Sequence, residues 1–201
     1  MIRILIAEDQ AMVRGALASL LGLEDDFEVV AEVERGDRVL EVARSTRPDV
    51  ALLDIEMPGL DGISAAAELV RELPRTRALI LTTFGRPGYM RRALEQGASG
   101  FLLKDAPASE LASAIRRVAA GQSALDPGLA AAAITEGRSP LTAREHEVLV
   151  AAAGHDTAAG IATAVHLSEG TVRNYLSAAM RKLGARNRSE AIEIATDKGW
   201  L

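Results

Sequence analysis

The stretch PDVALLDIEMPGLDG (Pro48–Gly62) decides how the chain is read. Pro48 fits the start of a strand, and the short apolar run Asp49–Leu53 is predicted as that strand. The run stops at Asp54. Pro58 and Gly59 shape a loop, and Ser64–Arg71 then shows helical spacing. Outward from this unit the same order repeats. Ile2–Ala7 is a predicted strand followed by a helix over Gln10–Gly22, and Phe27–Val33 is followed by a helix over Asp37–Arg44. Downstream, Ala78–Thr82 leads to Tyr89–Gln96, and Gly100–Leu103 leads to Ser109–Ala120. Five strand–helix units with short loops predict an α/β doubly wound, five-stranded parallel sheet in the order 2-1-3-4-5.

The rhythm ends at Gly121–Pro140, where Pro127, Gly128, Gly137 and Pro140 surround an Ala-rich stretch, Leu129–Ile134, long enough for one short helix. We read 121–139 as a linker between a domain at 1–120 and a second at 140–201. The second is predicted all-α, with four helices. Thr142 and Glu145 have capping-box spacing ahead of a helix over Arg144–Ala153. Helices over Thr157–Val165, Ser168–Leu183 and Ser189–Lys198 follow, with Ser168 as a fresh cap and Gly184 as a stop. A short helix, a tight turn and a longer basic helix form a helix-turn-helix pattern.

Composition narrows the chemistry. The 201 residues carry 48% hydrophobic and 25% charged side chains, a globular balance rather than a disordered one. There is no Cys, which excludes a disulfide scaffold, Cys-ligated zinc, an iron–sulfur cluster and a thiol nucleophile. His146, His155 and His166 are too scattered for a His-based metal site. No apolar run reaches the length of a membrane span and no signal-peptide layout opens the chain, so a cytoplasmic protein without membrane insertion is expected. The net charge of −5 is uneven: the first domain is acidic, whereas Gly170–Ser189 holds Arg173, Arg181, Lys182, Arg186 and Arg188 and no acid. Two domains with different partners follow from that split.

In a doubly wound sheet, ligands sit beyond the carboxyl ends of the strands. The residues there are Glu8 and Asp9 after the first strand, Asp54 after the third, Thr82 and Thr83 at the fourth, and Lys104 and Asp105 after the fifth. Three carboxylates at close quarters raise one another's pKa, and a divalent cation with oxygen ligands relieves the repulsion. A carboxylate is also a competent nucleophile toward phosphorus, with a metal and an ammonium balancing the developing charge.

IAEDQ, LLDIEMPGLDG, LTTFG and GFLLKDA together resemble the motifs of receiver domains of two-component response regulators, over Met1 to about Ala120. The resemblance implies a flavodoxin-like sheet, Asp54 as phosphoacceptor, and Mg²⁺ held by Glu8, Asp9, Asp54 and the backbone carbonyl of Glu56. It implies that Thr82 is a switch hydroxyl, that Lys104 contacts the phosphoryl group, and that Phe101 stands where the family has a switch aromatic. Asp105 and Ala106 separate Lys104 from Pro107, a departure from the Lys-Pro pair of many receivers.

LTAREHEVL and LSEGTVRNYLSAAMRKLGARNRSEAIEIA resemble the LuxR-type DNA-binding domain of NarL/FixJ regulators, over about Pro140–Leu201. In a helix-turn-helix the second helix enters the major groove, where Arg suits guanine, Asn suits adenine and cations suit phosphate. The candidate DNA contacts are Thr171, Arg173, Asn174, Tyr175, Ser177, Arg181, Lys182, Asn187 and Arg188, with Val172, Leu176 and Met180 facing the core. Where the family commonly has Lys in the preceding helix, this chain has Ala159 followed by Gly160. That implies weaker DNA affinity or more reliance on dimerisation.

Taken together, these resemblances imply a phosphorylation-switched transcriptional regulator and no metabolic enzyme. Its partners would be a sensor histidine kinase, double-stranded DNA with paired half-sites, and a second copy of itself. Whole-chain features such as GALASLLGLEDDFEVV and the C-terminal KGW resemble regulators of membrane-lipid and envelope genes. Two rivals remain: a phosphorylation-independent factor whose receiver only dimerises, and an aspartate-nucleophile phosphatase. The phosphatase lacks its D-x-D pattern here and leaves the helix-turn-helix without a role.

Overall fold

The computed structural model describes residues 1–83, 85, 87–125, 128, 130 and 139–201. They form two compact units. The first is a parallel sheet of β1 (Ile2–Ala7), β2 (Phe27–Val33), β3 (Val50–Leu53), β4 (Arg77–Thr82), β5 (Gly100–Leu103) and β6 (Ala124–Leu125), in the order β2-β1-β3-β4-β5-β6. Between the strands run α1 (Ala11–Leu21), α2 (Val39–Thr46, after a 3-10 turn at Gly36–Arg38), α3 (Gly62–Glu72), α4 (Pro87–Glu95) and α5 (Ala108–Ala119).

The expected strand order is observed, and the expected count of five is corrected to six. Gly121, at φ +79°, ends α5 in the left-handed region open to glycine. The chain then returns to the sheet edge, pairing Gly100 with Ala124 and Phe101 with Leu125. A two-residue strand carries no periodicity, so it lay hidden at the start of the expected linker. The short helix expected over Leu129–Ile134 lies outside the described residues, Ala130 excepted.

Central β3 is buried along its whole length, as its unbroken VALL run requires. Ile4, Ile6, Leu52, Leu79 and Leu81 pack from the sheet onto Leu111, Ile115 and Val118 of α5, with Leu17 and Leu20 of α1 beside them. Burying each such side chain contributes about 1.5–3 kcal/mol, which fixes the register and so the strand ends.

The second unit contains α6 (Ala143–Ala153), α7 (Ala158–Ala164), α8 (Glu169–Leu183) and α9 (Arg188–Asp197). Each starts at a capping side chain: Thr142, Thr157, Ser168 and Asn187 accept from backbone N–H groups of the first turn. The Thr142–Glu145 capping box is reciprocal. Gly184, at φ +68°, stops α8. Val148, Ile161, Val165 and Val172 form one small core, and Leu149, Ala179, Ala191 and Ala195 another.

Candidate functional site

The carboxyl ends of β1, β3, β4 and β5 bring the expected side chains together. Glu8 and Asp54 are buried and Asp9 is exposed, and one carboxylate oxygen from each lies within 4.8 Å of the others. The Asp54 N–H donates to the Ala7 carbonyl at 2.9 Å, locking the ends of β1 and β3 together. Lys104 lies between two of the acids, its Nζ 2.6 Å from Glu8 Oε2 and 3.2 Å from Asp54 Oδ1. Thr82 is buried at the end of β4, and its carbonyl accepts from the Lys104 N–H at 2.8 Å. Phe101 is fully buried within β5. Glu56 is exposed in the loop after β3.

That loop is shaped by close backbone approach. The Ile55 carbonyl accepts from the Met57 and Gly62 N–H groups. A Cβ on Gly62 would collide with the Asp54 carbonyl, so α3 starts against the strand end only because residue 62 is glycine. Asp61 caps that helix, accepting from the Ile63 and Ser64 N–H groups at 3.0 Å each.

The electrostatics follow from burial. Loss of hydration pushes the Asp54 carboxyl from 3.8 to about 6, the Lys104 ammonium pulls it back, and the Glu8 charge adds to the rise. A pocket of three carboxylates, one held partly against ionisation, is short of positive charge. Its donors are all oxygen, which suits a small hard divalent cation such as Mg²⁺. Glu8, Asp9 and Asp54 are side chains that could hold such an ion.

Arg14 escaped the sequence reading. A lone Arg on an amphipathic helix reads as solvated surface. In the fold its Nη1 donates to the Glu8 carbonyl at 2.6 Å, and it lies 3.4 Å from the Asp9 carbonyl.

In the helical unit, Arg173, Asn174, Ser177, Arg181 and Lys182 of α8 are exposed, while Thr171 and Tyr175 are half-buried. Val172 is buried and Leu176 and Met180 pack on the two cores, as their spacing predicted. Several candidate DNA contacts already have partners in the protein. Lys182 is ion-paired with buried Glu145 at 2.7 Å, holding the end of α8 on the start of α6. Asn187 is the cap of α9, accepting from the Glu190 N–H at 2.9 Å. Arg188 donates to the carbonyls of His155 and Asp156 at 3.0 Å each, and Tyr175 packs on the Val148–Val172 core. Arg173 pairs with Glu169 one turn back at 2.6 Å, a solvent-exposed contact that DNA could replace. The Glu145–Lys182 pair was not foreseen, although Lys occurs at only three positions.

Comparison with known proteins agrees with this geometry in both units. Residues 4–116 match the family model described as the response regulator receiver domain, and residues 139–195 match that of the bacterial regulatory proteins of the luxR family. The chain is 47% identical over 201 residues to the transcriptional regulatory protein DesR of Bacillus subtilis, and 45% identical to the uncharacterized transcriptional regulatory protein YvfU of the same organism. Each match covers 100% of both chains. Among solved structures, that of the response regulator ChrA of a heme-sensing two-component system superimposes with a TM-score of 0.59 at 35% identity, covering 100% of this chain and 98% of the other.

Proposed function

The chain belongs to the response regulators that join a receiver domain to a luxR-family DNA-binding domain, and from that premise we propose that Asp54 is its phosphoacceptor. It is a phosphorylation-dependent transcriptional regulator and not a metabolic enzyme. The observation that carries the site is the convergence of Glu8, Asp9 and Asp54, with Lys104 bridging two of them.

The kinase-borne donor is a phosphohistidine. A carboxylate oxygen of Asp54 attacks phosphorus, the new O–P bond forms as the N–P bond breaks, and the electron pair leaves on the imidazole nitrogen. Glu8, Asp9 and Asp54 would hold Mg²⁺, which would supply charge neutralisation for the phosphoryl oxygens when bound. Lys104 transfers from the Asp54 oxygen to a phosphoryl oxygen while Glu8 keeps its other side. The Thr82 hydroxyl donates to the same group. Their shift at the ends of β4 and β5 is the local charge event that biases the receiver toward a dimer. Two helix-turn-helix units then meet two half-sites about one DNA turn apart. The segment that follows β6, up to residue 139, serves as the connector, and the cytoplasm, where kinase and promoter meet, is the site of action.

The test is intact mass and size-exclusion elution of wild type and Asp54→Ala, with and without Mg²⁺ and acetyl phosphate. We expect one added phosphoryl group on wild type alone, with earlier elution. Equal incorporation in Asp54→Ala would refute the assignment, and no incorporation in wild type would favour a receiver that only dimerises.

A further inference from the structure

We propose that Arg14 is the positioning residue of the metal site, fixing the turn between β1 and α1 that presents Glu8 and Asp9. The inference rests on the reading that these carboxylates hold Mg²⁺.

The turn lacks a conventional cap. Gln10 occupies the cap position of α1 and makes no side-chain cap bond. Its backbone N–H goes instead to Glu8 Oε1 at 3.2 Å. Arg14, one turn into α1, closes the structure from the other side. Its backbone N–H is bonded to the Gln10 carbonyl at 2.9 Å. Its side chain folds back so that Nη1 reaches two carbonyls of the turn, Glu8 at 2.6 Å and Asp9 at 3.4 Å.

The guanidinium is anchored behind as well. Nε lies 3.8 Å from Glu32 and Nη2 4.0 Å from Glu34, so the clamp runs from the metal-ligand turn to the end of β2. The Arg14 side chain is only 17% exposed. An ordinary surface pair does not need that burial, because such pairs contribute little and keep their charges in water. A charged group held this far from solvent is held for its hydrogen bonds. Mg²⁺ demands near-octahedral oxygen ligands at about 2.0–2.1 Å, so a small drift of the turn misplaces two ligands at once. The positive charge itself opposes a cation, and Glu32 and Glu34 offset it. The contribution of Arg14 is therefore geometric, and its sign is opposite to that of its charge.

The experiment is calorimetric titration of Mg²⁺ and, separately, Ca²⁺ into the full-length chain, as wild type, Arg14→Met and Arg14→Lys, with metal-free melting curves. Arg14→Met should bind Mg²⁺ about ten-fold more weakly, the usual scale for an outer-shell partner. Ca²⁺, whose shell is larger and more tolerant, should lose less, so the preference for Mg²⁺ narrows. Arg14→Lys should recover part of the loss, because an ammonium reaches one carbonyl. Arg14 as a merely structural residue would lower the metal-free melting temperature and leave both affinities unchanged; that result overturns the inference. So does tighter Mg²⁺ binding by Arg14→Met, which would make the charge dominant, or an equal loss for both ions. If Arg14→Met does not fold, Arg14→Lys decides on the same criteria. Absence of Mg²⁺ binding by wild type overturns the metal reading and this inference together, and is thereby distinguished from a failure of Arg14 alone.

Discussion

Removing the charge of Asp54 should stabilise the metal-free protein, and the effect should depend on pH in a defined direction. Burial holds the Asp54 carboxyl at about 6 in the folded chain against 3.8 ordinarily. Below about pH 3 both states are largely protonated and the group contributes little. As pH rises, the unfolded chain releases its proton first and the folded chain keeps it. The penalty against folding therefore grows through this window and levels off above the folded value. At 1.36 kcal/mol per pKa unit, the rise from 3.8 to about 6 corresponds to about 3 kcal/mol at pH near 7.5 and about 1 kcal/mol at pH near 4.5. Asp54→Asn imitates the uncharged form, and Lys104 retains Glu8 at 2.6 Å, so no buried cation is left alone. Urea unfolding in EDTA, followed by hydrogen exchange of the β1 and β3 amides, reads the receiver transition directly. Asn should gain about 1–3 kcal/mol at neutral pH, narrowing on acidification. Saturating Mg²⁺ should close the gap by stabilising wild type through binding. Equal stabilities at neutral pH, or a difference unchanged by pH, would refute the reasoning.

Gly62→Ala should cost about 1–3 kcal/mol, since its Cβ would meet the Asp54 carbonyl and α3 must retreat; urea unfolding and phosphorylation rate together register the loss. Glu145→Ala removes a capping-box partner and the anchor of Lys182, and should cost about 1–2 kcal/mol in the helical unit, read from Trp200 fluorescence during unfolding. Arg181→Ala should weaken binding to all DNA sequences alike and reduce the salt slope by about 1. Arg173→Ala should instead relax sequence preference, costing about 1–3 kcal/mol on selected DNA and little on random DNA, as measured by fluorescence anisotropy.

The acidic pocket was legible because each of its side chains sits at the end of a strand whose apolar pattern is plain. Once β1, β3, β4 and β5 are adjacent, Glu8, Asp9, Asp54, Thr82 and Lys104 have no other place to be. Arg14 was not legible, because its role depends on a side chain folding back over one turn onto backbone carbonyls, and no spacing rule encodes that. Strand β6 was missed for the opposite reason: it is too short to carry a pattern at all.

The DNA side resisted for a chemical reason. Arg, Lys and Asn serve caps and carbonyls as well as they serve phosphates and bases, so residue type alone cannot sort them. The fold sorts them by whether their hydrogen-bonding groups are already used. Asn187 is used by α9, Arg188 by the α6–α7 turn and Lys182 by Glu145. Among the described residues, Asn174, Ser177 and Arg181 make no side-chain hydrogen bond or ion pair, and they recur at three- and four-residue spacing on one exposed face of α8. Arg173 stands beside them, held only by a solvent-exposed partner. A face whose donors are unused in the free protein is the face that DNA would satisfy, and it is narrower than the basic composition of Gly170–Ser189 suggested. Substituting Lys182 should therefore act through stability, whereas substituting Arg181 should act through salt-dependent binding. A Lys182→Met variant that kept full stability but lost DNA affinity would reverse that division.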